Sequence, residues 1–141
     1  MAGIERTATS TWKGDLKSGS GVIDATSNVL NQTPFGFATR FENAPGTNPE
    51  ELIAAAHAAC FSMAFANYLS EQGHKPDSIT TRATITLEGT SITKMHLETS
   101  GQVPGVDDSQ FKQLADEAEK KCPVSNLLRN GLTISLDASL G

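Results

Sequence analysis

The chain has 141 residues, of which 38% are hydrophobic and 6% aromatic, and its formal charge is −5. This length predicts one domain over residues 1–141, and the negative charge argues against nucleic acid or an anionic membrane surface as a partner. The N-terminal segment lacks the basic and apolar regions of a signal peptide, and His57, Ser62 and Asn67 interrupt the longest apolar segment. We therefore expect a cytoplasmic protein without a membrane span.

Short segments bounded by glycine-containing turns predict two strands, at residues 5–13 and 22–28. Residues 35–41 then alternate between two faces, which predicts a third strand. One face carries Phe35, Phe37, Thr39 and Phe41. The other face carries Gly36, Ala38 and Arg40. The second face is therefore bare except for the guanidinium of Arg40.

The strongest helical signal is the segment 46–72, GTNPEELIAAAHAACFSMAFANYLSEQ. Asn48 can act as the N-cap, Pro49 fits the first helical position, and Glu51 completes a capping box. Gly73 marks the end. Between these signals the helix is apolar on almost every side, which predicts burial on every side.

The second half of the chain alternates between strands and helices. Strands are predicted at 79–87 and 92–100, an amphipathic helix at 107–121, a short helix at 123–128, and a final strand at 132–136. The apolar stripe of the amphipathic helix consists of Phe111, Leu114, Ala115 and Ala118. This order of elements predicts an α+β fold with mainly antiparallel sheets around a long buried central helix.

The length of the central helix bears on the oligomeric state. A helix of two dozen residues spans about 36 Å, which exceeds the width of a small domain's core. One copy of the chain cannot cover such a helix on every side. We therefore expect a homodimer in which the alanine-rich major helices pack against each other.

Two cysteines, Cys60 and Cys122, are too few for a disulfide scaffold or a four-thiolate zinc site. Free cysteines are commonly buried and inert. However, Cys122 directly precedes Pro123 at a predicted helix start, where backbone N–H groups and the helix dipole favour a thiolate. A buried Arg40 would need an acidic partner, and the acids nearest the central helix are Glu50 and Glu51.

Four motifs together resemble the OsmC branch of the OsmC/Ohr thiol peroxidases (OsmC, osmotically inducible protein C). They are GTNPEELIAAAHAACFSMA, the TRFE around Arg40, the LNQTP loop, and CPVS at 122–125. The resemblance covers almost the whole chain. It implies an intertwined α+β homodimer that reduces organic hydroperoxides, and in some members hydrogen peroxide, without a cofactor or metal. An external dithiol, in some members a lipoylated protein, restores the enzyme.

By motif position, the resemblance implies that Cys60 is the peroxidatic cysteine, Cys122 the resolving cysteine, and Arg40 and Glu50 the arginine and glutamate of the site. A Cys60 thiolate would attack the peroxide, and the resulting sulfenic acid would condense with Cys122 to a disulfide. Arg40 would stabilise the thiolate and the leaving alkoxide, held by Glu50. We therefore expect the pKa of Cys60 to be depressed in spite of burial.

The spacing of Glu50 and Cys60 adds a constraint. Ten residues correspond to about 15 Å along a straight helix, too far for one site. We expect Glu50 of one subunit to serve Cys60 of the other.

Two other function classes remain open. His57 lies one turn before Cys60, and a Cys-His pair favours a cysteine hydrolase or acyl transferase. The simpler interpretation of His57 is a core histidine bonded to a backbone carbonyl. The third possibility is a non-catalytic dimer whose cysteines are structural or sense oxidants. Phe35 and Phe37, just before Arg40, could wall an apolar peroxide pocket.

Overall fold

The computed structural model describes residues 3–141, and within that range the class is α+β, as predicted. The elements follow one another as β1 (Ala8–Lys13), β2 (Ser20–Ala25), β3 (Thr33–Phe35), α1 (Phe37–Phe41), α2 (Pro49–Glu71), β4 (Ser78–Glu88), β5 (Ser91–Gln102), α3 (Asp108–Glu119), α4 (Pro123–Leu128) and β6 (Thr133–Leu140). The chain divides into two compact units, Met1–Pro49 and Glu50–Gly141.

The first unit is built on an antiparallel sheet of order β1-β2-β3. Gly21 of β2 pairs with Trp12 of β1 and with Phe35 of β3. The rings of Trp12 and Phe35 approach to 5.6 Å between centroids. A Cβ at position 21 would lie 2.6 Å from the Phe35 ring and 2.7 Å from the Trp12 ring, so the two rings can cover the sheet only over a glycine.

The predicted strand over 35–41 is wrong beyond its first residue. The chain turns at Gly36 into the one-turn helix α1, and Arg40 therefore lies on a helix. The cause is a local side-chain bond: the Thr39 hydroxyl accepts from the Gly36 N–H at 2.9 Å and donates to the Gly36 carbonyl at 3.0 Å. Such bonds offer the backbone an alternative to a sheet ladder. The rings of Phe37 and Phe41, at i and i+4, stack at 5.1 Å.

The second unit contains a sheet of order β4-β5-β6. β4 and β5 form the predicted antiparallel pair, and Met95 and Leu97 on β5 are fully buried. β6 pairs parallel to β5, whereas the other three pairs of described strands are antiparallel, so the pairing is mainly antiparallel, as predicted. The physical reason for the parallel pair is that α3 and α4 lie between β5 and β6 in sequence, and a helical crossover returns the chain in the same direction.

Burial along α2 is confined to one stripe in the single chain, so the expectation of burial on every side is wrong for one copy. The buried positions recur mostly every four residues, at Glu50, His57, Phe61, Phe65 and Leu69. Met63 on another side is 75% exposed. By length and composition alone, α2 is apolar enough to cross a membrane, so the sequence argument from interrupting polar residues was wrong on that point. Core helices of soluble proteins meet the same criteria.

The core of the second unit depends on Phe65. Its ring contacts Phe61 at 5.7 Å and Phe111 of α3 at 5.0 Å between centroids, and all three are fully buried. We predict that Phe65→Ala lowers the free energy of unfolding by about 3–5 kcal/mol, because it removes a ring and leaves a cavity. Denaturant titration at fixed protein concentration measures this. Leu127→Ala, at a residue that is 77% exposed, should change stability by less than about 0.5 kcal/mol. Equal losses in the two variants would contradict this core.

Candidate active site

The two cysteines meet although they are 62 residues apart in sequence. The Cys122 Sγ lies 3.5 Å from the Cys60 Sγ, and both thiols are free. A disulfide requires the sulfurs to approach to about 2.05 Å, so a small movement is enough to form the bond. Cys60 sits in the middle of α2 and is half-buried, whereas Cys122 is fully buried. The structure thus brings together the two cysteines that the sequence singled out.

Cys122 is held at the corner between α3 and α4. Its N–H bonds back to the Glu119 carbonyl at 3.3 Å, and it occupies the N-cap of α4 with Pro123 at the first helical position. Arg129, just after α4, donates to the Glu119 carboxylate at 3.0 Å and ties the end of α4 to the end of α3. The corner is therefore fixed at both sides of the sulfur.

The environment of Cys122 favours a thiolate. Burial raises the pKa of Cys122, but hydrogen bonding from His57, then from the N–H and hydroxyl of Ser125, and from Cys60 lowers this pKa to about 7. Cys122 is the N-cap of α4, where the helix dipole also favours a negative charge on the sulfur. The helix-start argument for Cys122 made from the sequence agrees with this direction.

Cys60 behaves in the opposite way. Burial raises the pKa of Cys60; the Val124 N–H opposes this, but Cys122 raises it further, and the net shift is upward. The expectation of a depressed Cys60 pKa is therefore wrong for the single chain. The physical reason is that the two adjacent sulfurs compete for one negative charge, and the hydrogen-bond donors favour Cys122.

His57 is fully buried, and its Nε2 lies 2.7 Å from the Ser125 Oγ. The expected bond to a backbone carbonyl is therefore wrong. Ser125 is itself fully buried and is the residue of this site that sequence reasoning missed. The signal was present, because Ser125 is the last residue of the CPVS motif and lies in the first turn of α4.

Glu50 and Arg40 belong to different units. Glu50 begins the second unit, near the start of α2, and is 7% exposed. It precedes Cys60 by ten residues on one continuous helix, a separation of about 15 Å along the axis. Arg40 lies on α1 of the first unit, with its Cζ 5.1 Å from the centroid of the Phe41 ring.

The first unit also contains an apolar pocket of about 360 Å³, which we call the aromatic pocket. Its lining is aromatic and aliphatic with one guanidinium, contributed by Trp12, Leu16, Phe35, Gly36, Phe37, Arg40 and Phe41. Phe35 and Phe37 thus line one apolar pocket together with Arg40, whereas the predicted strand would have placed Arg40 on the opposite face.

Comparison with known proteins places this geometry in a family. Residues 41–137 match the family model described as OsmC-like protein. The chain is 50% identical over 127 residues to the peroxiredoxin OsmC of Escherichia coli (strain K12). This alignment covers 87% of this chain and 89% of the relative. It is 32% identical over 96 residues to an organic hydroperoxide resistance protein of Xanthomonas axonopodis pv. citri (strain 306), across 64% of this chain and 66% of the relative.

Solved structures show the same fold. An organic hydroperoxide resistance protein from Elizabethkingia anophelis aligns over 100% of both chains with a TM-score of 0.77 and 24% identity. The organic hydroperoxide resistance protein OhrB of Bacillus subtilis aligns over 94% of this chain and 98% of its own with a TM-score of 0.67 and 26% identity. The sequence match, the fold and the paired cysteines agree, and the chain belongs to the OsmC family.

Proposed function

We propose that this protein is a thiol peroxidase that reduces organic hydroperoxides to alcohols through Cys60 and Cys122. The observation that carries the proposal is the 3.5 Å approach of a half-buried sulfur to a fully buried one. The similarity to a protein named peroxiredoxin OsmC and to organic hydroperoxide resistance proteins supports it.

The roles of the two sulfurs follow from their burial. The half-buried Cys60 receives the substrate, and its thiolate attacks the outer peroxide oxygen, which yields an alcohol and a sulfenic acid on Cys60. The Cys122 thiolate then attacks the Cys60 sulfur, and water leaves as the disulfide forms. The lowered pKa of Cys122 suits this step, because a larger fraction of that thiol is deprotonated near neutral pH. An external dithiol restores both thiols, which suits a reducing compartment such as the cytoplasm.

The dimer supplies what one copy lacks. Outside its buried stripe α2 presents small or apolar side chains, including Ala55, Ala59 and the largely exposed Met63. We infer that a second copy covers this surface, as in the family that the chain belongs to. Glu50 of one subunit then serves Cys60 of the other, and Arg40 donates hydrogen bonds to the peroxide and the leaving alkoxide.

The aromatic pocket has the apolar character that the organic part of a hydroperoxide requires. Its walls are almost entirely apolar, and its single guanidinium can meet a polar head group. Hydrogen peroxide has no apolar part, so it gains nothing from these walls. We therefore propose organic hydroperoxides as the favoured substrates and hydrogen peroxide as a poorer one.

A cysteine hydrolase built on Cys60 and His57 is less well supported. The Nε2 of His57 is occupied by Ser125, and the ring lowers the pKa of Cys122, which is fully buried. A hydrolase needs an accessible nucleophile next to its base. A non-catalytic oxidant sensor would use the same disulfide but would not consume peroxide with a dithiol reductant, so a turnover assay separates it from the peroxidase.

The first prediction concerns the redox cycle. After one equivalent of hydroperoxide, intact-mass spectrometry should show that the wild type loses two hydrogens as Cys60 and Cys122 join. Cys122→Ser should instead gain one oxygen and become easily overoxidised, and Cys60→Ser should do neither and show no turnover. An oxygen gain in the wild type without a bridge would mean that Cys122 is structural.

The second prediction concerns which subunit supplies Glu50 to each site. Glu50→Gln and Cys60→Ser homodimers should both be nearly inactive. A purified mixed dimer of the two, carrying different affinity tags, contains one intact site if Glu50 acts across the interface, and should regain about half of wild-type activity. If Glu50 served its own chain, the mixed dimer would stay as inactive as its parents.

The third prediction concerns the aromatic pocket. Phe37→Ala should raise KM for an aryl hydroperoxide by about tenfold or more, because lost apolar contact costs about 1.5–3 kcal/mol. The rate with hydrogen peroxide should change little, and Leu127→Ala is the matched exposed control. Parallel losses with both peroxides would contradict the assignment of the pocket to the organic part of the substrate.

A further inference from the structure

The proposed peroxide chemistry uses Cys60, Cys122, Arg40 and Glu50. It gives no role to the buried pair of His57 and Ser125. His57 and Ser125, 68 residues apart in sequence, form a 2.7 Å contact in the interior, and both side chains are fully buried. Buried polar pairs cost free energy unless they are fully satisfied. Their position beside the buried Cys122 sulfur indicates what they are for.

The His57 ring is only half satisfied. Its Nδ1 is buried and has no hydrogen-bond partner among residues 3–141. A neutral ring that donates its Nε2–H to the Ser125 oxygen leaves the Ser125 hydroxyl proton for Cys122, and that hydroxyl lowers the pKa of Cys122. Cys122 is the N-cap of α4 and Ser125 lies in the first turn of that helix, so the His57–Ser125 pair lies next to this sulfur. A thiolate on Cys122 would therefore give the hydroxyl that His57 orients a charged acceptor, which a protonated thiol does not.

We propose that His57 and Ser125 are positioning residues that hold Cys122 as the leaving thiolate when an external dithiol reduces the Cys60–Cys122 disulfide, so that the reductant attacks the Cys60 sulfur. This assignment rests on the proposed peroxidase cycle, because it concerns the disulfide formed there. Two observations carry it: the buried His57–Ser125 pair next to Cys122, and the unequal burial of the two sulfurs.

The reduction proceeds in two exchanges. One thiolate of the dithiol attacks the Cys60 sulfur, the Cys60–Cys122 bond breaks, and its electron pair stays on Cys122 as a thiolate stabilised by His57 and Ser125. The second thiol of the reductant then loses its proton and attacks the mixed disulfide. Cys60 leaves as a thiolate and is reprotonated, and the reductant departs as a cyclic disulfide. The dithiol gives up two electrons, and the protein returns to two reduced cysteines.

The direction of attack follows from both burial and leaving-group chemistry. Cys122 is fully enclosed, so an external thiolate has no approach to its sulfur, whereas Cys60 is half-buried. Thiol–disulfide exchange is faster when the departing thiol has the lower pKa. Attack on Cys60 with departure of Cys122 therefore combines an accessible sulfur with a low-pKa leaving thiol. Attack on Cys122 with departure of Cys60 would offer neither.

The first test locates the attacked sulfur. The disulfide is made with diamide rather than with peroxide, so the experiment does not require peroxidase activity. A short pulse of limiting glutathione, a monothiol that cannot complete the second exchange within one molecule, forms a mixed disulfide, N-ethylmaleimide then blocks all remaining thiols, and peptide mass spectrometry locates the adduct. The adduct is expected on Cys60. An adduct on Cys122 would overturn the proposal, whereas failure of peroxide alone to form the bridge would count only against the peroxidase function.

The second test separates positioning from a merely structural role. Ser125→Ala should raise the pKa of Cys122, read from thiolate absorbance in a Cys60→Ser background, towards the ordinary value of about 8.5. It should slow reduction of the preformed disulfide by dithiothreitol about threefold to tenfold. The first oxidation of Cys60 by hydroperoxide should not become slower, because weaker stabilisation of the Cys122 thiolate leaves Cys60 with less competition for the negative charge.

Two further variants keep this test decisive. His57→Gln should slow disulfide reduction in the same direction, which covers the case of a poorly folded Ser125→Ala. Ser62→Ala is the matched control, because Ser62 is a half-buried serine on α2 whose hydroxyl donates to Thr81 at 2.8 Å. An unchanged Cys122 pKa and an unchanged reduction rate in folded Ser125→Ala and His57→Gln would refute the positioning role.

Discussion

The site depends on one contact, the 3.5 Å approach of a sulfur in the middle of α2 to a sulfur at the corner between α3 and α4. Neither element can shift freely: Phe65 of α2 is locked against Phe111 of α3, and Arg129 ties α4 back to Glu119. Because core packing transmits displacement rather than absorbing it, the core that stabilises the unit also sets the sulfur–sulfur distance. Stability and redox chemistry are therefore two consequences of one packing arrangement.

The two sulfurs are unlike because their surroundings divide one negative charge between them. Cys122 lies beside the donors of His57 and Ser125, and Cys60 lies beside Cys122 itself, so the pKa of the first falls while that of the second rises. A pair of groups with pKa values pushed apart can divide chemical roles between them. The buried Cys122 is suited to attack an oxidised Cys60 and to depart as a thiolate when the disulfide is reduced. The half-buried Cys60 is suited to meet the substrate.

The sequence predicted well what depends on local pattern. α2, α3 and the β4–β5 pair appear close to the expected positions, because capping residues and periodicity are local signals. It failed where a competing contact decides, because the bonds of Thr39 replace a predicted strand with one turn of helix. It did not address the orientation of β6, which the crossover makes parallel to β5. The roles of Cys60 and Cys122 came from motif resemblance, but the contact of His57 with Ser125, 68 residues away, has no periodic signature.

The arrangement of α2 explains why a single copy is an incomplete description of the chemistry. One stripe of this helix faces the core of its own unit, and Met63 on another side remains 75% exposed. An apolar surface of this kind on a long central helix is typical of an interface, and a second copy is the cover proposed above. The Cys60 thiol has a raised pKa in the isolated chain, and a nearby positive charge would favour its deprotonation. In the proposed dimer, α2 carries both the proposed peroxidatic cysteine and the surface for the partner, so assembly and reactivity would be coupled and the active thiolate and the closed dimer would form together.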